Sequence, residues 1–114
     1  MPYIEIKVAK SASRKQEQLI TSHLGTAMEE ILGKDPKGLM VSVQSDIHLY
    51  LGGEFMEYAS YVHVVTANEI SEDKCKVLNA TIAALMEEDF KVPKENTYIV
   101  FKSADHFGVK GNLI

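Results

Sequence analysis

Hydrophobic and polar positions alternate from Tyr3 to Val8, with Ile4, Ile6 and Val8 on one side and Tyr3, Glu5 and Lys7 on the other, which is the pattern of a half-buried strand. From Ser13 the period lengthens. Leu19/Ile20, His23/Leu24, Ala27/Met28 and Ile31/Leu32 recur every four residues and make one apolar stripe on a helix. Ser13 with Gln16 fits a capping box at its start, and Gly33 suits its end. A short turn carrying Pro36 leads to a second strand, Leu39 to Val43. The second half repeats this order: a strand near Tyr58 to Thr66, a helix from about Glu72 to Asp89, and a strand from Thr97 to Lys102. Ser71 is placed to cap the second helix, with Ile70 before it able to staple onto Cys75. Cys75, Leu78, Ile82, Leu85 and Met86 then form the stripe expected to be buried, which makes Cys75 a small core residue rather than a nucleophile.

The halves also share residues. Met28–Lys37 reads MEEILGKDPK and Met86–Lys94 reads MEEDFKVPK, which match with a single gap, so an internal duplication is the simplest account. Two β-α-β repeats side by side predict an α+β fold, a four-stranded sheet with both helices on one face, because each crossover is right-handed and lands on the same side. A chain of 114 residues is the size of one domain and shows no boundary, so residues 1–114 are read as a single unit. The opposite sheet face is then left bare and partly apolar, and burial against copies of the same chain is the natural way to cover it.

Composition narrows the partners. With 46% hydrophobic and 25% charged residues the balance is that of a soluble globular protein, and no run reaches the roughly 20 apolar residues of a membrane helix. The start, MPYIEIKVAK, lacks the layout of a signal peptide, so a cytoplasmic location is the default expectation. A net charge of −4 and a pI near 5.5 argue against nucleic acid as a partner. The densest basic group, Lys7, Lys10, Arg14 and Lys15, reads as a solvated helix start. Cys75 is the single cysteine, which leaves no basis for an intrachain disulfide or a paired-thiol redox centre. His23, His48, His63 and His106 show no metal-ligand spacing, and Gly52-Gly53 reads as a turn rather than a phosphate loop, so neither metal nor cofactor is expected. His23 falls within the helix stripe as a partly buried, satisfied residue, while His106 lies in the C-terminal segment, within reach of a ligand there.

Four short motifs occur in order: Met1-Pro2-Tyr3-Ile4, Gly33-Lys34-Asp35-Pro36, Gly52-Gly53 and Tyr98-Ile99. Together with the length and the duplication they resemble the macrophage migration inhibitory factor family of the tautomerase superfamily, over nearly the whole chain. The resemblance implies a homotrimer with active sites between subunits and keto–enol tautomerisation of a phenylpyruvate- or dopachrome-like acid. Pro2 would be the base. Removal of Met1 exposes a secondary amine, and burial together with a nearby cation such as Lys34 would bring its pKa down towards neutrality, where general bases work best.

By the same resemblance Lys34 attracts the substrate carboxylate, and Thr66 stands where the family has an isoleucine whose backbone meets substrate. Tyr98 matches a pocket tyrosine supplied by the neighbouring subunit. Val100 replaces an asparagine of the vertebrate cytokine, which removes one hydrogen bond to the substrate's far end. The C-terminal segment is altered to Gly108-Val109-Lys110-Gly111-Asn112, with Val109 still expected to line the pocket. Tyr58 and Tyr61 replace the cytokine's cysteine pair, so thiol chemistry does not carry over. Arg14 is the only arginine, which argues against the dehalogenases and decarboxylases of the superfamily. The alternative to an enzyme is a binding or signalling protein that keeps the fold and pocket with vestigial catalysis.

Overall fold

The computed structural model describes residues 2–114. Strand β1 (Tyr3–Val8) leads into helix α1 (Arg14–Leu32), a 3-10 turn (Pro36–Gly38) and strand β2 (Met40–Gln44). A hairpin, β3 (Leu49–Leu51) and β4 (Glu54–Met56), separates this unit from its repeat. The repeat is β5 (Ser60–Thr66), α2 (Glu72–Phe90), a 3-10 turn (Lys94–Asn96) and β6 (Thr97–Ser103), and a short hairpin of β7 (Gly108–Val109) and β8 (Asn112–Leu113) ends the chain. The main sheet has the order β2-β1-β5-β6: β1 and β2 are parallel, β5 and β6 are parallel, and the central β1/β5 pair is antiparallel. The two repeats are thus related back to back, as the duplication implies.

Alternation decides the layers. Ile4, Ile6 and Val8 of β1 with Val62 and Val64 of β5 are fully buried and meet Leu24, Met28, Ile82, Met86 and Phe90 from the helices. At about 25 cal/mol per Å² of apolar surface, each such side chain contributes roughly 1.5–3 kcal/mol over its exposed state. Both helices lie on this face. The other face carries Tyr3, Glu5, His63, Val65, Tyr98 and Val100, with Met40 (68% exposed), Tyr98 (61%) and Val100 (41%) the most open apolar members. Among the described residues no helix is long and apolar enough to cross a membrane.

The predicted caps form. Ser13 and Gln16 make both bonds of a capping box, Ser71 accepts from the Lys74 N–H, and Gly33 closes α1 in the left-handed region at φ 66°. The buried stripes are narrower than the periodicity suggests. Leu19 is exposed and Cys75 only half-buried, its thiol 3.9 Å from the Ile70 carbonyl, because a helix lying on a sheet buries the central line of its stripe and leaves the flanks open. The strand expected from Tyr58 starts at Ser60: Tyr58 belongs to the bend after β4, where its carbonyl accepts the Asn96 amide at 2.9 Å.

The two helices are also tied by a buried carboxylate that the periodicity hides. Asp89, whose side chain is 5% exposed, receives His23 Nδ1 at 2.8 Å, and the Asp89 carbonyl accepts the Gln16 amide at 3.2 Å. Truncation of the partner strands the carboxylate. We expect His23→Ala to lower stability by about 1–3 kcal/mol in urea unfolding, the desolvation cost of an unsatisfied buried acceptor. A double substitution with Asp89→Leu should recover part of that loss.

Candidate active site

The topology converges on one end of the sheet. The start of β1 lies beside the end of β5, since the two run antiparallel with Tyr3 opposite Val65. Helix α1 runs back over β1, so its C-terminus returns to the same end, and β5 passes directly into the start of α2. Pro2 therefore meets Lys34, Thr66 and the first turn of α2.

Pro2 is buried, and its carbonyl accepts the Met40 N–H at 3.2 Å, which fixes the residue at the sheet while leaving its nitrogen out of the ladder. Lys34 is held by the reversal at Gly33: the Gly33 N–H reaches the Glu29 carbonyl at 3.0 Å and the Lys34 N–H reaches that of Met28 at 3.2 Å. Gly25 lets the following turn pack against α1, since a Cβ there would lie 3.2 Å from Pro36 Cβ.

Two hollows flank Pro2. The first, about 340 Å³, is walled by Pro2, Leu32, Lys34 and Thr66 and, across from them, by Ser71 and Lys74. It carries three charged side chains, Lys34, Glu69 and Lys74. The second, about 540 Å³, is bordered by Pro2, Tyr3, Met40, Val65, Phe107 and Val109, and is largely apolar. Lys34 has no carboxylate oxygen within 4.0 Å among the described residues, although Glu69 borders the same hollow. Thr66 turns its hydroxyl onto the Asn68 carbonyl at 2.6 Å, and its own carbonyl accepts the Ala104 N–H at 2.8 Å. That carbonyl has one lone pair left for a ligand.

Of the residues singled out in the sequence, Pro2, Lys34 and Thr66 share the first hollow, and Pro2 and Val109 share the second. Tyr98 and Val100 border neither; they project from β6 on the open sheet face, opposite Tyr61 and His63 of β5. His106 is exposed and borders neither hollow, whereas its neighbour Phe107 does. The loss of Met1, on which a free Pro2 amine depends, lies outside the described residues. Lys74, Met40 and Phe107 were not foreseen. Phe107 is a large apolar residue in the short polar link between β6 and β7, and that is the signal that was available.

This arrangement is the macrophage migration inhibitory factor and tautomerase fold. The chain superposes on Leishmania major MIF2 with a TM-score of 0.92 at 24% identity, covering 100% of this chain and 97% of that one. A macrophage migration inhibitory factor-like protein from Entamoeba histolytica matches at 0.88 and 15% identity, covering 99% and 98%. The F6 fused 4-OT, solved as an asymmetric trimer, matches at 0.84 and 14% identity, covering 97% and 94%. No protein-family model and no curated protein sequence matches the chain. Its likeness to these proteins is thus one of fold.

Proposed function

We propose that the chain is a keto–enol tautomerase, an isomerase that needs no cofactor, acting on small keto/enol acids of the phenylpyruvate type. The observation that carries this reading is the shared hollow of Pro2 and Lys34, a strand-end proline beside an ammonium group with no ion-pair partner among the described residues. With Met1 gone, the neutral Pro2 amine takes a proton from the carbon alpha to the substrate carbonyl, leaving an enolate. The resulting ammonium returns a proton to the neighbouring oxygen, and the reverse order runs the reaction back. Lys34 holds the carboxylate, and the apolar hollow at Met40, Phe107 and Val109 takes the ring. Homotrimer formation would cover the open sheet face and bring Tyr98 and Val100 of one copy to the site of another. A cytoplasmic location belongs to the same reading.

The test is a phenylpyruvate tautomerase assay on wild type and Pro2→Ala, both shown by intact mass to lack Met1. Alanine leaves a primary amine, but one without the ring that fixes the nitrogen, and a misplaced base costs roughly 10²-fold. Equal rates would remove Pro2 from the mechanism. A binding protein with vestigial catalysis, the reading that Val100 in place of the asparagine and the altered segment Gly108-Val109-Lys110-Gly111-Asn112 motivate, is favoured instead if both proteins are inactive yet take up the acid.

A further inference from the structure

The two repeats begin their helices differently. In α1, Ser13 Oγ accepts the Gln16 N–H at 3.1 Å and Gln16 Oε1 accepts the Ser13 N–H at 2.9 Å, so both bonds of the capping box are made. In α2, Ser71 Oγ accepts the Lys74 N–H at 3.3 Å, but a lysine has no acceptor with which to return the bond. The substitution has a second cost. An ammonium in the first turn sits at the positive end of the helix dipole, where Glu72 and Asp73 suit the field and Lys74 does not. Glu72 relieves Lys76, at 3.2 Å, rather than Lys74. A residue that breaks local rules twice without compensation from its own helix is a candidate for a role elsewhere.

That role is visible across the hollow. Lys74 borders the same space as Pro2 and Lys34, approaching from the start of α2 while Lys34 comes from the end of α1. Among the described residues neither ammonium has a carboxylate oxygen within 4.0 Å, although Glu69 also borders the hollow. We propose that Lys74 is a second carboxylate-binding residue, and that Lys34 and Lys74 hold the acid head group of the ligand together. A carboxylate offers two oxygens with about four lone-pair sites, so two ammonium groups can share it without competing. The hollow then selects free acids over their neutral esters. This proposal rests on the hollow being the substrate site, but it needs only binding and not proton transfer by Pro2.

The test separates the two. Hydrocinnamate and its methyl ester have the ring and head group of such a substrate but cannot tautomerise, and their affinities are read by ligand-observed NMR titration. Wild type binds the acid more tightly than the ester. Lys74→Gln weakens the acid by about fivefold, the size of an exposed charge contact, and leaves the ester unchanged. Lys76→Gln, a control on the same helix whose ammonium pairs with Glu72 and borders neither hollow, changes neither. Lys74→Gln also restores the capping box, so its Tm should rise by about 2–4 °C. An unchanged ratio of acid to ester affinity in Lys74→Gln overturns the proposal, as does an equal fall in Lys76→Gln or the absence of any acid preference in wild type. Selective loss of acid binding in a protein without tautomerase activity would instead sink the catalytic reading alone.

Discussion

Protein that retains Met1 is expected to tautomerise phenylpyruvate about 10²–10⁴-fold more slowly than protein that begins at Pro2, the usual contribution of a positioned general base. With Met1 attached the Pro2 nitrogen is an amide whose lone pair is delocalised into the carbonyl, so it can neither accept nor return a proton. Removal of Met1 makes it an amine. That amine acts as a base only while unprotonated, so the rate is expected to fall as pH drops through its pKa. The fold should not change, because Pro2 enters the sheet through its carbonyl and never had an N–H to give. Two preparations separated by intact mass, matched by circular dichroism and assayed side by side decide the matter. Similar rates in both would show that the proton passes through another group.

Much of this arrangement was legible in the chain. The period-2 run at Tyr3–Val8 and the four-residue recurrences after Ser13 gave the central strand and both helices within a residue or two, because each side of these elements faces a different environment. The duplicated MEE segments indicated that the halves share one topology, and right-handed crossovers then placed both helices on one face. What escaped were features too short for periodicity. Strands β3 and β4 have three residues each, and β7 and β8 two; their signal lies in the turns, Gly52-Gly53 at φ 61° and 84°, and Lys110-Gly111 at φ 54° and 82°, which supply the left-handed pairs that tight hairpins require. The same limit applied to the site. Pro2 and Lys34 stood out by residue type, but Met40, Phe107 and Lys74 come from three further segments, and only the folded chain brings them to the two hollows that flank Pro2. Asp89 was hidden for another reason. A carboxylate on the buried side of a helix contradicts the hydrophobic pattern, and its partner His23 lies 66 residues away.

Lys34 and Val92 occupy the same place in the two repeats, and the divergence between them should be measurable as stability on one side and ligand binding on the other. Each follows a left-handed residue, Gly33 or Lys91, and donates its N–H to the carbonyl of a buried methionine at 3.2 Å, Met28 or Met86. Each then leads into a 3-10 turn, with Asp35 the extra residue that the alignment of the repeats leaves unmatched. Backbone geometry is therefore shared. The environments are not: Val92 is fully buried in the core, whereas Lys34 is half-exposed beside Pro2. Val92→Lys should lower stability by about 3–5 kcal/mol, because an ammonium taken from water into an apolar core without a partner costs several kcal/mol. That is a large share of the roughly 5–15 kcal/mol by which a domain is stable, so a partly unfolded population is expected at about 25 °C. Lys34→Val, the reverse exchange, should change stability by no more than about 0.5 kcal/mol, as surface substitutions do, while weakening the acid ligand. Urea unfolding at one fixed protein concentration compares them, since any self-association adds to apparent stability. If Val92→Lys unfolds at the wild-type midpoint, the lysine has reached water along its stem and the two sites are less different than their burial indicates.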